Sequence, residues 1–170
     1  IVEISKQSVK ARPERMHVIH WGADIDYYDR FMREHPSERS GFISSGMERR
    51  DMPTLISAFN NTGLPLRIFS IKSYLGNDYE KIIGAIHRRE NITVTFNNRL
   101  MIDELTAEVN RSACVVICCQ PTNYTVGLTT VVEALALGLP IICSRNPQMP
   151  VDIEKEGCGL LVDYGDVEGW

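Results

Sequence analysis

The segment Cys114–Cys119, CVVICC, is an unbroken apolar run closed by Gln120 and Pro121. So short a run without polar alternation suits a strand covered on both faces, the condition of a central strand in a parallel sheet. Around it, from Gly41 onward, β-rich runs alternate with segments of helical period. The expected strands are Phe42–Ser45, Leu66–Ile71, Ile92–Phe96, Cys114–Cys119, Ile141–Cys143 and Gly159–Val162. Between them Met52, Leu55, Ile56 and Phe59 follow the i, i+3, i+4, i+7 spacing of a helix with one buried stripe. The same spacing recurs at Tyr79, Ile82, Ile83 and Ile86, and at Leu128, Val131, Val132 and Leu135; Ile102, Leu105 and Val109 give a sparser version. Strand–helix alternation with short connections builds right-handed βαβ units. The expected fold is therefore α/β, a doubly wound and mostly parallel Rossmann-like sheet.

Residues 1–40 break this pattern. Ile1–Ser5 and Met16–His20 read as short strands, Tyr27–Glu34 as a helix, and His35–Ser40, with Pro36, as a linker. The expected division is an interdomain segment with the remnant of an N-terminal domain at 1–40, then one Rossmann-like domain at 41–170. The missing initial Met and a helix start at Asp166–Glu168 read as cuts through a longer protein.

Composition narrows the function classes. A net charge of −4 gives no support for general binding to nucleic acid or an anionic membrane. No apolar run approaches the ~18–20 residues of a membrane span, and Ile1–Arg15 lacks the apolar stretch of a signal peptide. The five cysteines, Cys114, Cys118, Cys119, Cys143 and Cys158, form no C-x-x-C. They read as reduced core thiols of a cytoplasmic protein, not as a zinc site or a disulfide framework. No G-x-G-x-x-G follows a strand and no G-x-x-x-x-G-K-[ST] is present, which disfavours dinucleotide-fingerprint and P-loop readings. A receiver-type signalling domain needs acidic residues at the strand exits, where this chain has Ser44-Ser45-Gly46 and Cys118-Cys119-Gln120.

Two strand exits carry the candidate chemistry. After Cys114–Cys119 a turn-rich loop passes through Gly127 into a helix bearing Thr129, Thr130 and Glu133, closed by Gly138 and Pro140. The N–H groups of Leu128, Thr129 and Thr130 at that helix start attract phosphate, and Gly127 lets a ligand approach the backbone. With Leu128, Val131, Val132 and Leu135 facing the core, Thr129, Thr130 and Glu133 fall on the open side. A carboxylate there suits a vicinal diol such as ribose; an ordinary helix start with a solvated Glu fits the same residues. The other exit, Ser44–Asp51, again runs from a strand through a glycine, Gly46, to a helix, now with Arg49 and Arg50. In a parallel sheet both exits lie on one edge, so an arginine there can oppose a diphosphate. Arg49 also reads as a solvated side chain, and so does Lys72 at the second strand's exit. Asp24-Ile25-Asp26 reads as loop and cap chemistry, and His17 and His20 as structural.

Together these residues resemble the C-terminal, donor-binding domain of GT-B glycosyltransferases of the retaining group 1 (family 4) type, over nearly the whole chain. HVIHWGADIDYY resembles the interdomain segment, FISSGMERRDMPTLISAF the first strand, glycine loop and helix, EALALGLPII the E-A-x-A-x-G-x-P-[VI]-I motif, and GCGLLVDYGD the G-x-G-x-L-V-x-x-x-D tail. The resemblance implies metal-independent, retaining transfer from a nucleoside-diphosphate sugar, with no further cofactor. It implies a cytoplasmic enzyme of polysaccharide biosynthesis whose acceptor, a glycan or lipid-linked sugar, sits on a separate N-terminal domain. Peripheral membrane association of the full-length protein goes with that class. By position, Gly46 would lie beneath the diphosphate and Arg50 would replace the family's phosphate-binding Lys. Gly127, Leu128 and Thr129 would cradle the distal phosphate, Glu133 would hold the ribose, and Phe96 and Asn97 would meet the base. Two positions depart: Thr125 stands where the first glutamate of E-x7-E orients the sugar, and Met47 where an arginine often follows the glycine. They keep open an alternative, a catalytically degenerate binding or partner subunit.

Overall fold

The computed structural model describes residues 12–17, 19, 21–96 and 102–170. Helix α1 (Ile25–Glu34) precedes β1 (Phe42–Ser45), α2 (Met52–Thr62) and β2 (Leu66–Ser70). A small antiparallel pair, β3 (Ser73–Tyr74) and β4 (Asn77–Asp78), leads into α3 (Tyr79–Gly84). Then follow β5 (Ile92–Phe96), α4 (Ile102–Asn110), β6 (Cys114–Ile117), α5 (Leu128–Ala136), β7 (Ile141–Ser144) and β8 (Gly159–Val162). Six strands in the order β5-β2-β1-β6-β7-β8 form one sheet, parallel at every pairing. The chain winds outward from β1 to β5, returns to β1's other side as β6, and winds outward again. The exits of β1 and β6 are therefore neighbours at the reversal, where open α/β sheets leave a crevice.

The unbroken apolar run of β6 is explained by its position. Val115, Ile117 and Cys119 face a cluster with Val109 of α4, Val131 and Ala134 of α5, and Leu137 just after it. Val116 and Cys118 face the opposite cluster, built on Leu55, Ile56 and Phe59 of α2 and Tyr79 and Ile83 of α3. Alternate side chains of a strand thus feed two cores, so none of them can be polar. All five cysteines are free thiols and four are buried. Burial pushes the Cys114 thiol up to about 11 and that of Cys143 to about 12.

Helix α5 corrects one expectation. Its buried residues are Thr130, Val131 and Ala134, with Leu137 just beyond, whereas Leu135 is exposed and Leu128 and Val132 are only half-buried. The helix is turned from the predicted stripe because small Ala134 can approach the sheet closely, and Thr130 finds a polar partner inside. Thr130 therefore does not lie on the open side with Thr129 and Glu133.

Other expectations shift at their ends. The strand foreseen to Cys119 stops at Ile117, and no helix starts at Asp166–Glu168: Val167 and Glu168 lie in a turn, with Asp166 accepting from the Gly169 N–H at 2.9 Å. Met16, His17 and Ile19 are in no strand; Ile1–Ser5, Val18 and His20 lie outside the described residues. Asp24 caps α1, its Oδ1 accepting from the Tyr27 N–H at 3.0 Å, and Asp26 sits in that helix's first turn. Helix α1 packs onto the sheet's helical layer: Tyr28 and Met32 touch the α5-side core, and Phe31 is buried. Arg39 donates to the Leu137 carbonyl at 2.7 Å, to that of Gly138 at 3.4 Å and to Asn110 Oδ1 at 3.1 Å. It caps the C-terminal end of α5 with a cation, where the helix dipole favours one.

Candidate functional site

The two strand exits are joined by main-chain hydrogen bonds. Asp51 N–H donates to the Cys118 carbonyl at 3.0 Å and Gln120 N–H to that of Arg49 at 2.8 Å, flanking a bridge between Arg50 and Cys119. Arg49 adopts a left-handed φ of 51° to make this turn, and its side chain is exposed. Arg50 turns inward and is only 3% exposed. Its Nε and Nη2 donate to the Ser45 carbonyl at 3.1 and 2.9 Å, and Nη1 to that of Glu48 at 3.0 Å. Nη2 also reaches Thr130 Oγ1 at 3.3 Å and Nη1 reaches Cys119 Sγ at 3.5 Å. Five N–H groups thus meet five neutral contacts, and none of the salt bridges among the described residues includes Arg50. A buried cation without a counter-ion costs free energy that an anion nearby would recover.

The two glycines face this guanidinium. Gly46 has a φ of 105°, and a Cβ there would lie 2.9 Å from Arg50 Cζ. Gly127 has a φ of 84°, and a Cβ there would lie 2.7 Å from Ile117 Cγ2 and 3.9 Å from Arg50 Nη1. Gly127 is the N-cap of α5, no side chain caps that end, and the first N–H bonding back to it is that of Val131, at 3.0 Å. An uncapped helix start and a buried cation thus point to the same place. Of the five Arg50 contacts, the one to sulfur, a weak acceptor, is the easiest to exchange for an anionic oxygen.

Glu133 lies in the second turn of α5. Its Oε1 accepts from Thr106 Oγ1 at 3.3 Å, and burial holds its pKa above the ordinary carboxylate value against the lowering effect of that bond. With Thr129 it borders a cavity of about 560 Å³ whose other walls are the start of α4 and the segment Trp21–Tyr28. Tyr27 Oη donates to Asp103 Oδ1 at 2.6 Å on that rim.

The remaining candidates are placed as follows. Thr125 Oγ1 donates to the Gln148 carbonyl at 2.6 Å, so it holds the β6–α5 loop to the loop after β7. Tyr124 Oη donates to Glu48 Oε1 at 3.0 Å, linking the two glycine loops, a contact without any periodic signal in the sequence. Met47 is exposed, and Phe96 is half-buried at the end of β5. Asn97 lies outside the described residues. Lys72 is exposed and paired with Glu80 at 2.7 Å, so it adds no charge to the crevice. His17 is exposed and has no metal-type neighbours among the described residues. No helix among them is long and apolar enough to cross a membrane.

No known family profile matches this chain, and no curated protein matches it. Solved structures do. A glycosyltransferase from Rickettsia africae superposes with a TM-score of 0.67 at 14% identity, over 98% of this chain and 48% of that one. The Anabaena protein HepE, solved with UDP-glucose, gives 0.60 at 17% identity, over 94% and 46%. WaaG, a glycosyltransferase involved in lipopolysaccharide biosynthesis, gives 0.59 at 14% identity, over 93% and 45%. This chain therefore spans about half the length of the structures it matches. The likeness establishes the fold alone, a Rossmann-like α/β domain shared with these structures.

Proposed function

We propose that this chain is the donor-binding half of a glycosyltransferase that moves a sugar from a nucleoside-diphosphate sugar to an acceptor. The observation that carries this is Arg50: a buried guanidinium with no salt-bridge partner among the described residues, beneath Gly46 and Gly127 and beside an uncapped helix start. A diphosphate supplies the missing negative charge. As the glycosidic bond breaks, charge grows on the leaving diphosphate, and Arg50 and the N–H groups of Leu128 and Thr129 oppose it in place of a metal ion. Glu133 then holds the ribose diol: an α-helix rises 1.5 Å per residue, so its Cα lies about 9 Å from that of Gly127, the reach from a phosphate to a ribose. Retention of configuration and an acceptor on a separate N-terminal domain complete the reading, as do polysaccharide biosynthesis and a cytoplasmic setting.

Titration calorimetry with UDP, GDP and ADP tests it. The 170-residue chain binds at least one of them, Arg50→Met abolishes that binding, and the chain alone transfers no sugar. Silence towards all three sinks the proposal. A second reading, a degenerate binding subunit, is favoured by Thr125, whose hydroxyl is already engaged with Gln148 where a sugar-orienting carboxylate is expected. Turnover by a full-length protein carrying this domain would reject it.

A further inference from the structure

The cavity beside Glu133 has features that a ribose-binding carboxylate does not explain. Its volume, about 560 Å³, is that of a small-molecule pocket, and Glu133 and Thr129 place it along α5 from the phosphate cradle. Trp21 and Ile102 line it while remaining 66% and 75% exposed, so its walls carry large apolar side chains that nothing among the described residues covers. A flat ring seated there would cover them. Three carboxylates border it: Asp24 caps α1, Glu133 accepts from Thr106 and is the proposed ribose ligand, and Asp103, in the first turn of α4, accepts the 2.6 Å bond from Tyr27 at the cavity rim. That bond occupies one lone pair of Oδ1. A carboxylate accepts at about four lone-pair sites, so, counting the bonds among the described residues, Asp103 has acceptor capacity left beside Tyr27 and offers no donor.

An acceptor-only group discriminates among bases by their edges. Guanine presents two adjacent donors, N1–H and the N2 amino group, to a carboxylate. Uracil presents one donor flanked by two carbonyl oxygens, which a carboxylate repels, and adenine sets its amino group beside an acceptor nitrogen. We propose that this cavity seats the nucleobase and that Asp103, held by Tyr27, selects guanine, making the donor a GDP-sugar. The assignment rests on the donor-site reading above, seats the base in this cavity and not at Phe96, which does not line it, and adds the identity of the base.

Calorimetry on the 170-residue chain separates the two claims. GDP is expected to bind at least about tenfold more tightly than UDP, the discrimination of one bidentate pair. Asp103→Asn keeps an acceptor for Tyr27 and a polar residue at the start of α4, and it brings the ratio to within about threefold or reverses it. Tyr27→Phe releases the carboxylate and weakens GDP while leaving UDP unchanged. Equal or tighter UDP binding by the wild type overturns the base assignment, as does a ratio that Asp103→Asn leaves unmoved. If Arg50→Met still abolishes binding in that case, the donor site stands without it. If no nucleotide binds, both fall.

Discussion

Replacing Gly46 by Ala tests whether the Arg50 cradle is a built feature. The new Cβ would approach Arg50 Nη2 most closely and would lie 2.9 Å from Cζ and 3.3 Å from Nε, so the guanidinium must move. A φ of 105° also strains any side-chain-bearing residue, by about 1–2 kcal/mol. Moving the guanidinium endangers two bonds to the Ser45 carbonyl and one to Thr130. Hydrogen bonds to charged groups contribute about 1.5–3 kcal/mol each, so losing one outright brings the total to about 3–5 kcal/mol. For a domain of this size 1 kcal/mol shifts Tm by roughly 2–4 °C, which predicts a fall of roughly 6–20 °C in calorimetry. Gly22→Ala serves as the reference, because a Cβ there meets nothing within 4 Å and its φ is not positive. In an Arg50→Met background the clash disappears, and only the backbone strain of about 1–2 kcal/mol remains. A Gly46→Ala melting point within about 2 °C of the reference, or full additivity of the two substitutions, would refute the packing described here.

Two further outcomes follow from the same site and its support. Glu133 has a folded-state pKa raised by burial, so its contribution to stability is complete below the ordinary carboxylate pKa and is lost as pH rises through the folded value. Glu133→Gln should therefore melt higher than wild type at neutral pH, lose that advantage near pH 4, and bind nucleotide roughly 10–100-fold more weakly; a lower neutral-pH Tm would contradict this. Arg39→Met removes a cation from three acceptors at the end of α5 and the neighbouring α4, and should cost about 1–3 kcal/mol in urea unfolding without touching the nucleotide site directly.

Why some of this was legible in the sequence and some was not follows from the interactions concerned. The sheet was readable because β6 feeds two cores and so shows an unbroken apolar run, while the helices show one stripe each. Gly46 and Gly127 were readable because both turns need a positive φ. The rotation of α5 was not: four large apolar residues outvote Ala134 in any periodicity count, yet close approach to the sheet selects the small residue. Nor was the confinement of Arg50, since burial of a guanidinium depends on carbonyls supplied by a particular loop geometry. The Tyr27–Asp103 bond joins residues 76 apart in the chain, and nothing local announces it.

The partners of Arg50 differ in when they become available. Ser45 and Glu48 are five and two residues away and emerge with it during synthesis, whereas Cys119 and Thr130 follow 69 and 80 residues later. The arginine can therefore be held by its own loop before β6 exists, without exposing a disordered cation to the growing chain. When β6 docks beside β1, it adds the two main-chain bonds that join the strand exits, then the sulfur, the hydroxyl and the helix start. The half of the cradle nearer the amino end is thus a template, and its completion reports that the sheet has closed around β1.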